Sequence, residues 1–375
     1  MKIYIYLICI VLSSCSQKLR NDSVVTLIKQ DSLRLPVDEH INPYAVGIEY
    51  VDNGNIEDVL YILDGNNHLL SYDYQKRELI KKIVLAKNGN NGVGIANGFK
   101  VISQNSIIVT SKFYQKFFII NSEGEVNSSF SFKNDSLFTS YTCSNINRRI
   151  IIRDHILTLP QNLMGNWNNI SEEYFKHYTT TIDCNLESNK ITKSGMKLPY
   201  KYPNLNSPGY SFASFQGQIV YSFTAKDSIF VVKDKMIIPF DAKTSNIEQL
   251  IGSKRENDTS VENILRNKIE SGEYVFLLPD PYRKLLYRFY RIGLKNLKKN
   301  ENLMDLNSYP PSFGIQVINE EFKVIADVKF PERKYFFTNS FVTGDGLFIS
   351  VNHPDNPEFD VNFFGFDRFV IQDEN

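Results

Sequence analysis

The sequence predicts an all-β fold: a β-propeller of six blades, with seven as the alternative count, each blade a four-stranded antiparallel meander. Three observations lead there. The chain carries 27 Phe and 21 Tyr among 375 residues, and aromatic and β-branched wealth favours strands. Ile107–Phe132 runs IIVTS, KFYQ, KFFIIN, SEGE, VNSSFSF, and Leu60–Leu85 repeats this plan of apolar runs separated by polar breaks. One such meander cannot bury both of its faces alone, so copies must stack. Apolar strand cores recur near Leu60, Ile107, Ile150, Ile219, Leu285 and Leu347, six centres with insertions in the second half. A ring of units is one domain whatever its length, so residues 24–375 are expected to form a single propeller.

At the N-terminus, Lys2 precedes the apolar run Ile3–Leu12. That run is too short to span a bilayer and has the character of a signal h-region. Leu12-Ser13-Ser14-Cys15 resembles the bacterial lipobox, in which the cysteine is acylated and becomes the mature N-terminus. Residues 1–14 are therefore expected to be a lipoprotein signal peptide, and 15–23 a lipidated tether carrying its acyl chains on Cys15. Ser16 is not Asp, which by the lipoprotein sorting rule implies the outer membrane. Ser-Gln-Lys-Leu-Arg after Cys15 lacks an acidic export cluster, which favours the periplasmic face, with surface exposure left open.

Val24–Ile28 and Ser32–Val37 form a strand pair or one long bent strand. Tyr44–Val51 begins the next strand, turned by Asp52-Asn-Gly54. The last unit, Gly346–Asn352 and Phe363–Ile371, is a strand short. A strand from Val24–Val37 would complete it and leave no aggregation-prone edge. Gln161–His177 is an insertion holding Trp167, with a short helix start at Ser171. Thr259-Ser-Val-Glu262 is a capping box, and Val261, Ile264, Leu265, Lys268 and Ile269 follow at helical spacing up to Gly272. This is the best helix in the chain, a short helical insertion. The charged run Lys295–Glu301 is expected at a solvated hairpin tip.

With 42 basic and 42 acidic residues the chain is neutral. Neutrality argues against a nucleic-acid partner, whose binding needs a surplus of Lys and Arg. Contact with the membrane would run through the lipid anchor. Cys143 and Cys184 are the thiols left once the leader is removed and Cys15 is acylated; they are either a disulfide pair or two buried fillers. The glycine loop Gly89–Gly98 precedes a β-run rather than a helix, so it is a blade linker and not a phosphate loop. Asp355, Glu358 and Asp360 lack ordered calcium-ligand spacing and sit among turn-forming Pro and Asn. The five histidines form neither HExxH nor a close pair, and no G-x-S-x-G is present. No metal, cofactor or catalytic residue is expected on these grounds.

Asp280-Pro-Tyr-Arg283 and the strand after it form the densest polar-aromatic cluster. Tyr282, Arg283, Tyr287 and Arg288 are the candidate ligand-binding residues, because a guanidinium near a propeller axis can bind a carboxylate or phosphate bidentately. The competing reading makes these arginines braces between blades. Alternation puts Arg283 and Arg288 on opposite faces, so only one would reach a common pocket, and the turn favours Arg283.

Lys87-Asn-Gly-Asn-Asn-Gly-Val-Gly-Ile-Ala-Asn-Gly-Phe99 with Ser106-Ile-Ile-Val109, and Asp280-Pro-Tyr-Arg283 with Leu286-Tyr-Arg-Phe289, resemble motifs of a bacterial lipoprotein family of unknown function. Val25-Thr-Leu with Asp31-Ser-Leu fits the same pattern. The resemblance implies a TolB-like six-bladed propeller in the cell envelope, and no reaction. The first functional expectation is a binding or interaction module for a protein, peptide or glycan. The rivals are a lyase or hydrolase acting in the axial funnel, and a scaffold in an envelope complex. Histidines and carboxylates clustered at the funnel would favour the enzyme; an aromatic and Arg-lined rim would favour binding.

Overall fold

A computed structural model describes residues 25–52, 54, 58–111, 114, 116–131, 139–140, 143–163, 178–188, 190–197, 209–234, 236–252, 260–298 and 300–373. The expected signal peptide, Cys15, Trp167 and Ser171 lie outside the described residues. Six four-stranded antiparallel sheets follow one another around a ring. Blade 1 is β2 (Ala45–Val51), β3 (Val59–Asp64), β4 (His68–Asp73) and β5 (Glu78–Val84). Blade 2 is β6 (Ala96–Ser103), β7 (Ser106–Ser111), β8 (Lys116–Ile120) and β9 (Val126–Ser131). Blade 3 is β11 (Ile151–Arg153), β12 (Ile156–Pro160), β14 (Thr181–Asn185) and β15 (Ile191–Ser194). Two short strands, β10 (Thr139–Ser140) and β13 (Asn162–Leu163), pair beside it. Blade 4 is β16 (Tyr210–Phe215), β17 (Gln218–Phe223), β18 (Ser228–Lys233) and β19 (Met236–Asp241). Blade 5 is β20 (Glu273–Asp280), β21 (Leu285–Arg291), β22 (Phe313–Ile318) and β23 (Val324–Lys329).

Blade 6 is built from both ends of the chain. β24 (Phe336–Thr343), β25 (Gly346–Ser350) and β26 (Phe363–Asp373) are completed by β1 (Val25–Pro36), which pairs antiparallel with β26. The two N-terminal apolar runs are one strand, bent by a register shift between Lys29 and Ser32. A polar clasp holds the bend. Asp367 on β26 accepts from Ser32 Oγ at 2.7 Å and Tyr335 Oη at 2.9 Å, and pairs with Lys29 Nζ at 2.8 Å. Burial pushes the Asp367 carboxyl up, but these three donors outweigh it and hold the group below the usual carboxylate range.

Second strands are buried along almost their whole length, as in β3 and β21, where every residue is buried. A strand inside its own sheet and covered on both faces by neighbouring blades has no solvent side, so it reads as a continuous apolar run instead of an alternating one. Five of the six sequence centres, Leu60, Ile107, Ile219, Leu285 and Leu347, fall on second strands, while Ile150 directly precedes the first strand of blade 3. Between blades 5 and 6 the core is a stack of rings, with Phe276 on Phe289 at 4.2 Å and Phe313 on Phe337 at 4.6 Å between centroids. Each such side chain, fully buried, contributes about 1.5–3 kcal/mol.

The hairpin at Asn121-Ser-Glu-Gly124 forms as expected, with Gly124 at φ +81° supplying the left-handed turn position. Helix α1 (Val261–Glu270) is capped by Ser260, whose hydroxyl accepts from the Asn263 amide at 3.3 Å. The cap is thus one residue later than the box placed it, and Thr259 lies outside the described residues. A second helix, α2 (Leu303–Ser308), follows the charged run where a hairpin tip was expected. Its start is set by Asn302, whose Oδ1 accepts from the Met304 and Asp305 amides. Cys143 and Cys184 are buried free thiols within one apolar cluster, not a disulfide. Burial pushes them up to about 12 and about 11, which suits fillers rather than nucleophiles. No helix among the described residues is long and apolar enough to cross a membrane.

Candidate axial binding site

First strands face the ring axis, and between them lies a cavity of about 280 Å³. Five blades line it. Blade 1 brings Ile48, Glu49 and Tyr50; blade 2 brings Phe99 and Lys100. Asn145, Arg149 and Ile150 come from the approach to blade 3, Leu278, Pro279, Pro281 and Tyr282 from blade 5, and Phe341 and Val342 from blade 6. Its walls are therefore mainly apolar and aromatic, with a few polar groups among them.

Those polar groups are fixed by contacts between blades. Asn145 accepts from the Phe99 amide at 2.8 Å and donates to the Phe99 carbonyl at 3.0 Å. It also packs against Gly47, where a Cβ would meet the Asn145 side chain at 2.9 Å, so blade 1 must be glycine there. Glu49 reaches blade 2, pairing with Lys100 and accepting from the Val101 amide at 3.0 Å. At the rim, Tyr50 donates to Asp58 at 2.8 Å and Tyr282 donates to Asp52 at 3.2 Å. Desolvation first, and then these carboxylates, push both phenols above their ordinary range. They are neutral at physiological pH.

Arg148 and Arg149 are neighbours in sequence with opposite fates, as alternation along an extended segment requires. Arg148 lies over the Tyr210 ring at 5.0 Å and bridges to Phe212, joining blade 3 to blade 4. Arg149 turns to the axis, where its Nη2 donates to the Ser340 carbonyl of blade 6 at 3.4 Å. Blades 3 and 6 are diametrically opposed in a ring of six, so a side chain joining them crosses the axis. Burial pushes the Arg149 guanidinium down to about 10, partly offset by the charge of Glu49. It remains cationic near neutral pH.

Of the four candidate ligand-binding residues, Tyr282 alone lines this cavity. The other three candidates lie outside it. Arg288 is 0% exposed. Its guanidinium donates to Ser222 Oγ at 2.8 Å and to the carbonyls of Asp227, Ala242 and Lys226 at 2.6–2.9 Å, and stacks 3.3 Å from the Tyr274 ring. It locks blade 5 onto blade 4 and has no face left for a ligand. Tyr287 is buried and donates to Asp280 at 3.1 Å. Arg283 pairs with Asp280 at 2.8 Å and donates to the Thr343 and Gly344 carbonyls, clamping blade 5 to the β24–β25 turn of blade 6. Arg283 and Arg288 thus each join two blades, and Tyr287 is held within blade 5. Arg149, which the sequence reading passed over, is the arginine at the axis. Its signal was the Arg148-Arg149 pair directly before Ile150-Ile-Ile, two adjacent cations of which a strand can hide only one on each side.

Asp355 and Glu358 are engaged by Arg333 at 2.5 Å and Lys334 at 3.9 Å, and Asp360 accepts from the Asn362 amide at 3.0 Å. This is turn chemistry. The glycine loop runs between β5 and β6 as the blade linker expected, with its last glycine, Gly98, already inside β6. A wider depression of about 1090 Å³ beside α1 is also polar, but its Lys295 and Lys329 are paired with Glu248 and Glu332.

The family model for a domain of unknown function, DUF4221, matches residues 24–326. The chain belongs to the DUF4221 family. A crystal structure of a DUF4221 member from Bacteroides vulgatus ATCC 8482 superposes with a TM-score of 0.84 at 24% identity, covering 94% of this chain and 99% of that one. A protein of Bacteroides fragilis NCTC 9343 assigned as exported superposes with a TM-score of 0.55 at 13% identity, covering 96% and 98%. At these identities both likenesses speak for the fold. No match is found among curated proteins. Within the DUF4221 fold of this chain, the axial cavity and its crossing arginine are the features with the makings of a site.

Proposed function

We propose that this DUF4221 protein is a lipid-anchored binding module of the cell envelope that takes a ligand in its axial cavity. The observation that carries this reading is the lining itself. Tyr50, Tyr282, Phe99, Phe341 and Arg149 meet there, and among the described residues of the lining there is one carboxylate, Glu49, and no histidine. An aromatic, arginine-bearing funnel suits recognition, whereas acid–base chemistry calls for paired titratable groups. Its volume, at the small end of ligand pockets, suits a small molecule or the end of a chain.

The anchor rests on the h-region and on Cys15 after Leu12-Ser13-Ser14. Attachment to the outer membrane, facing the periplasm, follows from Ser16 and from the lack of an acidic cluster after Cys15. The exported assignment of the Bacteroides fragilis relative supports an envelope location.

Thermal-shift screening of a fragment set tests the cavity, with wild type beside Val342→Phe, which fills it. Fragments should raise the wild-type Tm, by mass action on the folded state, and leave the variant unmoved. Hits that stabilise both proteins equally would move the site elsewhere and end this reading.

A further inference from the structure

We infer that Arg149 makes the axial cavity a receptor for a single carboxylate carried on a short apolar body. The inference rests on the reading of that cavity as a binding site and gives its ligand a chemistry.

Arginines packed between blades elsewhere hold close acceptors or an ion pair. Arg288 has four acceptors within 2.9 Å, Arg291 has Glu273 at 3.0 Å, and Arg283 has Asp280 and two carbonyls. Arg149 has one long contact, to the Ser340 carbonyl at 3.4 Å. Its Nε is buried without a partner, as is that of Arg291, but Arg291 keeps its ion pair to Glu273. Among the described residues no carboxylate lies within ion-pair distance of it. A cation held half-buried at the centre of a ring, at the cost of desolvation, keeps donor capacity that neutral walls do not use. A buried charge normally recovers that cost from a partner, and a ligand anion is the partner this geometry leaves room for.

The surrounding charges narrow the anion. Lys100, the other cation of the lining, is committed to Glu49. Glu49 acts on Arg149 electrostatically, and Asp52 and Asp58 flank the rim through Tyr282 and Tyr50. One uncommitted positive charge among three carboxylates suits a monoanion and repels a phosphate dianion. Planar bidentate geometry also matches guanidinium to carboxylate. Apolar lining from Ile48, Leu278, Phe341 and Val342 takes the rest of the ligand, and about 280 Å³ limits it to roughly one aromatic or aliphatic group. Either a free small acid or the carboxylate end of a peptide meets this description.

Calorimetric titration of the full chain with 3-phenylpropanoate, 3-phenylpropanamide, inorganic phosphate and a hexapeptide ending in Phe, free or amidated, tests it. The free acid should bind, and the isosteric amide should bind at least about ten-fold more weakly. Phosphate should not compete. Arg149→Gln should weaken the acid roughly 10–100-fold, the worth of a lost charge-assisted pair, while Arg149→Lys keeps part of it. Binding of the free-ended hexapeptide, lost on amidation, identifies a chain terminus as the source; binding of the small acid alone identifies a free metabolite. Equal binding of acid and amide, or an unchanged affinity in Arg149→Gln, would overturn the carboxylate inference and leave the cavity reading intact. Fragments that bind as Val342→Phe predicts while no carboxylate does would do the same. Should Arg149→Gln fail to fold, the acid–amide ratio on wild type and the Lys variant decide.

Discussion

Two arginines, Arg288 and Arg149, differ in how far their donors are spent. Arg288 sits in an interblade slot where four acceptors and an aromatic face are already arranged around it. Burial lowers it to about 10, with Tyr274 and Asp227 working against the shift, so it stays charged. Arg288→Ala strips the Lys226, Asp227 and Ala242 carbonyls and Ser222 of their donor. Removing one side of a buried charged network costs about 3–5 kcal/mol. Urea denaturation should show a loss of that size, with the ligand affinity of any refolded fraction unaltered. A variant as stable as wild type would show that blades 4 and 5 do not depend on it. From sequence, guanidinium chemistry near the axis was legible in principle, but its owner was not. Arg283, Arg288 and Arg149 look alike on the page, and whether a donor is spent depends on carbonyls some 46 to 191 residues away.

At the level of elements, the closing strand carries the clearest consequence. β1 pairs with β26 along ten register positions, from Val25–Asp373 to Pro36–Phe363, and ties them through Asp367. Deleting residues 25–36 leaves β26 as an open edge and takes Leu33 and Leu35, both buried, out of the core. Light scattering should show aggregation on refolding, since a long apolar edge templates pairing with other chains. A monomeric deletion protein with an unaltered Tm would mean the ring does not need this strand. That closure was legible because the C-terminal unit lacked a strand and Val24–Val37 had no blade of its own. The second helix was not, since α2 has six residues, too few to display a helical period, and a lone Asn cap is common in turns. Cap position at α1 slipped by one because adjacent Thr259 and Ser260 both suit an N-cap.

For the whole molecule, the proposed anchor on Cys15 would decide where the propeller works. Cys15→Ala should leave a soluble or unprocessed protein, measured by membrane fractionation and mature mass. Unchanged fractionation and mass would remove the lipid from the picture. Local chemistry in the chain was sufficient for the fold. Meander spacing, aromatic wealth, hairpin turns and a missing strand each depend on neighbours a few residues apart, and together they determine a closed ring of blades. The site is a different kind of object. Its lining comes from residues 48 to 342, brought together at the axis by five blades, and no local pattern encodes which first-strand side chains converge there. Apolar periodicity records that a strand is buried but not against what. Only the closed ring separates an arginine satisfied by a neighbouring blade from one left facing the axis, because donor satisfaction is a property of three-dimensional contact rather than of order along the chain.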